Sequence, residues 1–484
     1  MRRILRGDTR TSSRLEEVLE RARLLVSPSD EERSLLEGTL KEVLERVEGS
    51  VRRLGLDAQV VPVGSAVRDT WLPNNRELDV FVLFPREIGD KEVLGSLIVE
   101  IARESFGDYE QNYAEHPYVK VSYKGFEVDL VPAYRISPGE RVISAVDRTP
   151  LHNSYVGSRL RSPTEVRLLK AFLKSIGAYG AEERVGGFSG YLCELLIIYY
   201  GSFLNLLESA VKWGPRVYID IEGHLNEEYA LSSFNGPLIV IDPVDPRRNA
   251  AAALTETQFN RFKVASRSFL SDPDLEFFTR GLRGDAGRCP LQHLEGELSL
   301  RRTRLLVAEL RGLEDLSREL LWSQAKRLAR LLGDELERNG FSPIWVSGWT
   351  DERSSIVVAA ELYSLTLPAL EKRQGPPVGS GEEMNFLSTY VGSEDSFGGP
   401  FIEGDRWYVY RRRRYSEATL LLNDLLSGSK MPSLLRGRAK FRILTDKELP
   451  LLDRWVLSEI YKEMRKEEFF LAHLIRGVKP GRGT

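Results

Sequence analysis

Short apolar runs between Val60 and Tyr134 predict β-strands. Val60, Val61 and Val63 predict a strand that stops at Gly64. The next apolar run is RELDVFVLF, which is apolar on both faces except at its acidic start. Further on, YVKVSYKGFEVDLVPAY predicts a hairpin whose turn is Lys124-Gly125. We therefore expect a small mixed sheet here.

Helical spacing surrounds these strands. Apolar positions three and four residues apart predict one helix from Ser13 to Val26 and a second up to Gly55, separated by the break SPSDEE. A crossover helix is predicted over residues 91–107, and residues 151–265 show long helical patterns with few strand signals. The pattern favours an α+β chain in which a sheet with helices on one face precedes a helical region.

From residue 266 onward the pattern predicts further α+β structure. A long amphipathic helix is expected from Ser317 to Phe341, and SPIWVSGW and SSIVVAAELYSL are expected strands. Gly, Pro and Ser are frequent over residues 374–404, which predicts mainly loops. Helix closes the chain over residues 451–475.

The acidic residues of the first region stand at unusual places. Glu77 and Asp79 are two apart on one strand, so both side chains leave the same face, and Asp129 is a lone carboxylate in another apolar strand. Like charges that close repel unless a cation neutralises them, and carboxylate oxygens suit Mg²⁺. Two such ions about 3.5–4 Å apart would support phosphoryl chemistry. A solvated strand edge is the alternative.

Several other residues have both a structural and a functional interpretation. Gly64 and Ser65 form a turn that can approach a phosphate, although such turns are common. Ser189 begins an apolar helix, where it is an N-cap and can also favour an anion. Lys170 is either a solvated helix lysine or a ligand contact. The Pro-rich stretch DPVDPRRN is either a solvated loop or a reader of base and phosphate edges.

Composition narrows the class of protein. The chain has 484 residues, 42% hydrophobic and 29% charged, which suits two to four globular domains. No apolar run is long enough to span a bilayer, and the basic N-terminus lacks the apolar core of a secretory signal. Two cysteines exclude a disulfide framework, and the five histidines lack zinc-site spacing. These features predict a cytoplasmic protein without membrane association.

The charge balance bears on the partner. A net charge of −3 argues mildly against binding to nucleic acid. The electrostatic potential at the surface, however, depends on local patches of charge and not on the total. One such patch is RWYVYRRRRY, where aromatic residues surround Arg411, Arg412, Arg413 and Arg414. This mixture suits phosphate contact with stacking, and an exposed strand with solvated arginines is the alternative. A compact and specific RNA target is the partner that this balance favours.

The ordered set GSAVRDTWL, ELDVF and EVDLVP resembles the nucleotidyltransferase superfamily typified by DNA polymerase β. Flanking stretches resemble one branch of it, the archaeal (class I) CCA-adding tRNA nucleotidyltransferases. Those stretches are YAEHPYVKV, SAVDRTPLH, EVRLLKAFLKSIGAYGAE, GGFSGYLCELLIIYYGSF and IDPVDPRRNAAAAL. The resemblance is strong over residues 55–265 and rests on order and composition beyond them.

The resemblance implies a multidomain α+β fold. It places a nucleotidyltransferase palm domain, a small mixed sheet with helices, at residues 1–150. A helical central nucleotide-binding domain follows at 151–265, and a C-terminal tRNA-binding body and tail at 266–484. The implied reaction is template-independent addition of C, C and A to the 3′ end of tRNA from CTP and ATP, with release of pyrophosphate.

The resemblance also implies roles for individual residues. The metal ligands and catalytic residues, holding two Mg²⁺ ions, would be Glu77, Asp79 and Asp129. The triphosphate-binding turn would comprise Gly64, Ser65 and Arg68. Sugar and phosphate contacts would come from Thr149, His152, Lys170, Tyr179 and Ser189. Arg248 would help to select the incoming base.

The implied partner is tRNA, held by its acceptor and TΨC arms. Glu115 and His116 would touch the acceptor end, or else form local turn hydrogen bonds, and Arg411 to Arg414 would contact RNA in the C-terminal region. A monomer or homodimer is expected. The nearest alternative is a poly(A) polymerase or another RNA nucleotidyltransferase, and a more distant one is a catalytically silent RNA-binding protein.

Overall fold

A computed structural model describes residues 9–113, 117–136, 140, 143–282 and 291–477. The chain divides into two compact units. The first comprises Met1–Ala286 together with Glu468–Thr484, and the second comprises Gly287–Glu467. This division places residues 266–286 and 468–484 with the first unit, whereas the sequence-based boundaries assign both to the C-terminal region. The three-domain division stays a prediction.

A mixed sheet forms the start of the first unit, as predicted. Its strands, in the spatial order β1-β2-β5-β4-β3, are β1 (Gln59–Val63), β2 (Glu77–Phe84), β3 (Glu110–Tyr113), β4 (Pro117–Tyr123) and β5 (Phe126–Tyr134). β2 and β5 run parallel, and the other neighbouring pairs run antiparallel. The predicted turn between β4 and β5 is present, with Lys124 and Gly125 both at positive φ.

Two helices, α2 (Asp30–Arg53) and α4 (Lys91–Phe106), cover this sheet because their apolar stripes match its buried face. The short α3 (Gly64–Val67) follows β1, whereas α1 (Thr9–Val26) packs its apolar side chains into the helical core of the same unit. Ser29 caps α2 in a capping box with Glu32, which accounts for the break that SPSDEE predicts. Val43 of α2 and Ile98 of α4 are buried in one cluster with Val80 and Val128 of the sheet. The fold therefore holds β2 and β5 rigidly from behind.

The rest of the first unit is mainly helical. Its helices are α5 (Thr149–Arg159), α6 (Pro163–Ser175), α7 (Gly190–Tyr200), α8 (Phe203–Ala210), α9 (Glu227–Ser233), α10 (Glu256–Ser271) and α11 (Glu276–Thr279). A small sheet, which the sequence pattern did not predict, contains β6 (Val217–Ile219), β7 (Leu238–Asp242) and β8 (Asp245–Asn249). The stretch DPVDPRRN is thus the β7–β8 hairpin and not a loop.

Within the described residues, no single helix is long and apolar enough to cross a membrane. By length and composition alone, α7 and α8 together would pass such a test, with a bend of 91° between them. Their apolar side chains, such as Leu195, Leu196 and Phe203, are buried in the core of the first unit. That core explains why these helices are so apolar.

The described part of the second unit contains two sheets with the spatial orders β10-β11-β9-β15 and β12-β14-β13. The strands are β9 (Arg304–Arg311), β10 (Pro343–Thr350), β11 (Ser355–Leu362), β12 (Leu370–Pro377), β13 (Ser396–Glu403), β14 (Arg406–Arg412) and β15 (Lys440–Thr445). The helices are α12 (Leu291–Arg301), α13 (Arg318–Arg338), α14 (Glu383–Tyr390), α15 (Ala418–Ser427) and α16 (Arg454–Arg465). The last helix, α17 (Phe470–Gly477), belongs to the first unit.

The expectation that loops dominate residues 374–404 is wrong, because α14 and β13 lie there and β12 extends into it. β12 and β13 both pair with β14, which supplies the backbone partners that their local sequence does not reveal. Irregular register between Ser396 and Phe401 accommodates the glycines of β13. Pairing across the sheet therefore overrides a composition that locally favours turns.

Candidate functional site

The register of two parallel strands brings the predicted carboxylates together. Asp79 of β2 pairs directly with Asp129 of β5, and Glu77 lies two residues before Asp79 on the same face. Along β5 every second side chain is buried, and Asp129 is half-buried between Val128 and Leu130. The sheet thus places three acidic side chains, from positions about fifty residues apart, at one point.

These carboxylates lack enough positive charge around them. Burial, followed by the charges of Asp129 and Glu77, raises the pKa of Asp79 to about 6. Burial also raises the pKa of Asp129, although the Lys120 ammonium lies 3.7 Å from its Oδ1 and opposes the shift. That buried Oδ1 accepts no hydrogen bond from any residue that the structure describes. The site is electrostatically incomplete.

The predicted phosphate-binding turn lies against the same acidic residues. Gly64 has φ +83°, and a Cβ at this position would lie 2.1 Å from Asp79 Oδ2. A glycine is therefore required here for two reasons, the positive φ and the close approach of the carboxylate. Ser65 follows at once in α3. The fold brings Gly64 into contact range of Asp79, as the motif order suggested.

Arg68 is held by the helical region of the same unit. Its Nε lies 2.9 Å from Glu194 Oε1 on α7, and a terminal nitrogen lies 2.9 Å from Asn153 Oδ1 on α5. Glu194 is fully buried and also accepts from the Thr70 hydroxyl at 2.7 Å. The sequence analysis missed Glu194, although a lone carboxylate inside the apolar run GYLCELLIIYY was a usable signal.

Lys170 is a buried residue of α6, so the alternative of a solvated helix lysine is wrong. Its Nζ donates to the Thr70 carbonyl at 2.8 Å, and burial lowers its pKa. A Cβ added at Gly190, the first residue of α7, would lie 3.3 Å from the Tyr179 hydroxyl and 3.7 Å from Lys170 Nζ. Ser189 caps this helix by accepting from Leu192 N at 3.0 Å. Three predicted site residues therefore meet at the start of α7.

Arg248 and His152 meet on a carboxylate that the sequence analysis also missed. Asp242 ends β7, and its Oδ2 lies 2.7 Å from a terminal nitrogen of Arg248 and 2.9 Å from His152 Nε2. The His152 ring stacks on Tyr191 at 4.0 Å, and Thr149 begins α5 one turn before His152. Burial alone would raise the pKa of Asp242, but the hydrogen bonds from His152 and Arg248 outweigh it and hold that pKa at about 2.

The arginine run of the second unit is not uniform. Arg411 and Arg413 both bind Glu371, at 2.6 and 3.2 Å, and are largely buried. Arg412 and Arg414 are exposed, with their guanidinium groups 5.4 Å from the Phe397 ring and 5.1 Å from the Tyr415 ring. Alternation along the chain thus divides the four residues into two structural and two surface arginines. Glu115 and His116 lie outside the described residues.

Family comparisons cover both units. A family model described as "Nucleotidyltransferase domain" matches residues 44–152, and "tRNA nucleotidyltransferase, second domain" matches residues 164–279. "CCA-adding enzyme, C-terminal domain" matches residues 302–433. The three matches follow one another along the chain without overlap.

Curated relatives align along most of the chain. The CCA-adding enzyme of Methanopyrus kandleri is 43% identical over 96% of this chain and 97% of its own length. Those of Pyrobaculum islandicum and Haloarcula marismortui are 37% and 34% identical, over 86% and 90% of this chain and 94% and 96% of their own lengths. The chain belongs to the CCA-adding enzyme family. The resemblance stated from the motifs is thereby confirmed, as is assignment to the nucleotidyltransferase class of enzymes.

Two solved structures are similar to this member of the CCA-adding enzyme family at low identity. Escherichia coli MS115-1 CdnC with ATP aligns over 55% of this chain and 96% of that chain, with a TM-score of 0.40 and 18% identity. The Cid1 poly(U) polymerase with 3′-dATP aligns over 54% and 94%, with a TM-score of 0.40 and 17% identity. Likeness at this level carries no argument about the site.

Nucleotidyltransferases generally use divalent metal ions, so the fit of the acidic residues to a cation is a relevant test. In the described ranges, no three His, Cys, Asp or Glu side chains form a complete metal-binding cluster. Glu77, Asp79 and Asp129 nevertheless supply the oxygen donors that a hard cation prefers, and Asp129 Oδ1 is buried without a hydrogen bond from a described residue. The donor chemistry of these residues fits a divalent cation.

Proposed function

We propose that this chain adds C, C and A in turn to the 3′ end of tRNA from CTP and ATP and releases pyrophosphate. One observation carries the proposal. Asp79 and Asp129 stand side by side in parallel register within a chain that aligns over 96% of its length with a CCA-adding enzyme. The proposed reaction uses no nucleic-acid template. The protein and the tRNA end would therefore select the incoming nucleotide.

Glu77, Asp79 and Asp129 would hold two Mg²⁺ ions, which would promote ionisation of the RNA 3′-hydroxyl and neutralise the charge of the triphosphate. Burial and the neighbouring carboxylates raise the pKa of Asp79 to about 6, so a bound cation would favour its ionised form. Gly64 keeps the phosphate-binding turn in contact range of this carboxylate. In-line attack on the α-phosphorus then depends mainly on positioning and charge neutralisation by these residues.

The helical region would hold the rest of the nucleotide. The Lys170 ammonium, the Tyr179 hydroxyl and the start of α7 behind Ser189 converge closely enough to bind one anionic ligand. Arg68 adds a positive charge beside the turn that follows Gly64, held there by Glu194. These contacts would fix the sugar and phosphates relative to the carboxylates.

Selection of the base is assigned to Arg248. Its guanidinium is donor-only, so it can bind acceptor atoms that C and A present and that G and U present differently. Its side chain is 37% exposed and is therefore accessible to a ligand, whereas its carboxylate partner Asp242 is fully buried. Thr149 and His152, at the start of α5, would contact the sugar next to it.

Incorporation into defined tRNAs tests the function. Purified protein is given tRNAs that end before CCA, after C and after CC, with labelled CTP, ATP, GTP and UTP supplied separately with Mg²⁺. Two additions of C, one of A and then a stop are expected. Runs of A on any RNA would instead indicate a poly(A) polymerase. Tight tRNA binding without incorporation would indicate a silent RNA-binding protein.

The role of the C-terminal region has its own test. We propose that it grips the acceptor and TΨC arms by their A-form shape and phosphates. Replacing the exposed pair Arg412 and Arg414 with alanine should weaken tRNA binding. The slope of the logarithm of the binding constant against the logarithm of the salt concentration should decrease in magnitude by about one per arginine. The matched double variant at Arg411 and Arg413 should instead lower stability, because it leaves Glu371 without its ion pairs. Unchanged tRNA affinity after loss of Arg412 and Arg414 would refute the contact.

A further inference from the structure

Asp242 is a buried carboxylate whose two oxygens have different partners. Oδ1 accepts from the Tyr191 hydroxyl and from Val244 N, each at 3.1 Å. Oδ2 accepts from His152 Nε2 at 2.9 Å and from Arg248 at 2.7 Å. One oxygen is therefore used to hold the hairpin and a tyrosine, and the other joins two side chains that are predicted to touch the nucleotide.

We propose that Asp242 is a positioning residue that sets the direction of the Arg248 guanidinium and thereby determines which bases the site accepts. The inference rests on the proposed function, in which Arg248 reads the incoming base. Asp242 is fully buried at the base of the β7–β8 hairpin, so it acts through Arg248 and does not itself touch a nucleotide.

The physical reason is the flexibility of arginine. An arginine held only at its backbone can turn its donors toward acceptors on any of the four bases, and ordering it on binding costs conformational entropy. A planar guanidinium with one terminal nitrogen bound to a fixed carboxylate presents its remaining donors in a defined direction. Selection without a template requires such a fixed direction.

The shared oxygen adds a second constraint. His152 is predicted to contact the sugar or phosphates and Arg248 the base, and both bind Asp242 Oδ2. The His152 ring is in turn held by its stack on Tyr191. Asp242 therefore fixes the base-reading group relative to the group that holds the rest of the nucleotide, which is the relation that a specificity site must keep constant.

The same hairpin contains a matched control. Asp245, three residues later, is also buried, but it binds Arg148 at 2.9 Å and Arg247 at 2.9 Å instead of Arg248. Asp245→Asn removes a buried hairpin carboxylate without touching the Asp242–Arg248 pair. A general loss of hairpin stability would appear in both Asp242→Asn and Asp245→Asn. A loss of Arg248 positioning would appear only in Asp242→Asn.

The test compares Asp242→Asn, Asp245→Asn, Arg248→Ala and the double variant Asp242→Asn/Arg248→Ala. In Asp242→Asn, the amide oxygen can still accept from Tyr191 and Val244, while the amide nitrogen faces the Arg248 donors. The ratio of kcat/KM for CTP to that for UTP is expected to fall by about ten- to a hundredfold in Asp242→Asn. Asp245→Asn should keep the wild-type ratio, and the double variant should match Arg248→Ala.

Two results would overturn the proposal: an Asp242→Asn variant that loses activity equally with all nucleotides, or a double variant whose ratio falls well below that of Arg248→Ala. If Asp242→Asn does not fold, NMR of the wild-type Arg248 guanidinium decides, with Arg248→Lys for assignment. Slow rotation about the bonds to its terminal nitrogens supports the proposal, and rotation as free as in a solvated arginine refutes it.

The proposed function can fail separately. Affinities for CTP and UTP are therefore also measured on complexes with tRNA that ends in a 3′-deoxynucleotide, which cannot react. A wild-type chain that adds nothing to reactive tRNA refutes CCA addition. The same variants still test positioning through the ratio of the two affinities, where an Asp242→Asn ratio equal to wild type would refute it.

Discussion

The first unit contains two acidic sites with opposite electrostatics. At the strand starts of the sheet, burial and neighbouring carboxylates raise the pKa of Asp79 to about 6. In the β7–β8 hairpin, hydrogen bonds overcome burial and hold the pKa of Asp242 at about 2. Asp79 faces like charges, whereas Asp242 faces an arginine, a histidine, a tyrosine and a backbone amide.

This difference distinguishes a ligand-binding site, the sheet carboxylates, from a residue that holds other side chains in place, Asp242. The hairpin carboxylate Asp242 already has a positive partner, Arg248, within the protein. Its hydrogen bonds hold Arg248 and His152 in place. At the sheet, the Lys120 ammonium lies beside both Asp129 and Glu127. This one positive charge leaves most of the negative charge of the sheet carboxylates uncompensated. A cation from outside the protein would complete them.

Replacing Asp79 with asparagine should have the largest effect. Loss of a metal-holding carboxylate removes several kcal/mol of stabilisation of the transition state, so nucleotide addition should fall on the order of a thousandfold. Binding of tRNA, measured by filter retention, should stay near that of wild type. Glu127→Gln on the neighbouring strand is the control, because Glu127 is exposed and pairs with Lys120. Activity of Asp79→Asn within tenfold of wild type would refute the assignment.

The contribution of Asp79 to the stability of the metal-free protein, measured as wild type minus Asp79→Asn, should fall as the pH rises between about 4 and 6. A carboxyl whose folded pKa is raised binds more protons in the folded state than in the unfolded state across that window, so deprotonation there favours unfolding. The shift of Asp79 to about 6 corresponds to about 2–3 kcal/mol. Urea unfolding at several pH values measures it.

Addition of Mg²⁺ should reduce this slope. Asp242 has the opposite sign, because its lowered pKa contributes stability that is lost only as the pH falls from about 4 through about 2. A stability difference between metal-free wild type and Asp79→Asn that rises between pH 4 and 6 would contradict the contrast.

Substituting alanine for Gly64 should reduce activity on the order of tenfold, because its Cβ would displace Asp79 Oδ2. The residue would also cost about 1–2 kcal/mol of stability through its positive φ. Gly125→Ala provides the matched control. It has φ +78°, yet a Cβ there meets no described atom within 4 Å. Equal activity losses in the two variants would show that backbone strain alone, and not the approach of the Cβ to Asp79, lowers the activity.

The smallest expected effect concerns Lys120. Its ammonium competes with a cation for Asp129, so Lys120→Gln should lower the Mg²⁺ concentration that gives half-maximal activity by about threefold. The effect is modest because this side chain is 36% exposed. Titration of activity with Mg²⁺ measures it. A higher Mg²⁺ requirement in the variant would show instead that Lys120 supports the site.

Local elements and the order of the motifs can be predicted from the amino-acid sequence. The valine-rich strand that ends at Gly64, the two-residue spacing of Glu77 and Asp79, and the N-caps at Ser29 and Ser189 all follow from interactions within a few residues. Such signals are readable because backbone geometry and side-chain alternation depend on near neighbours. The order of the carboxylate motifs indicated the nucleotidyltransferase superfamily, and the flanking stretches indicated its CCA-adding branch.

Only the tertiary structure decided which residues became partners. The parallel register of β2 and β5 set Asp79 beside Asp129, and packing of α6 and α7 buried Lys170 and Glu194. The Gly-rich β13 became a strand because β14 pairs with it. Charge pairing with a distant residue depends on the fold of the whole unit, so spacing along the chain cannot reveal which carboxylate is neutralised and which is left for a cation.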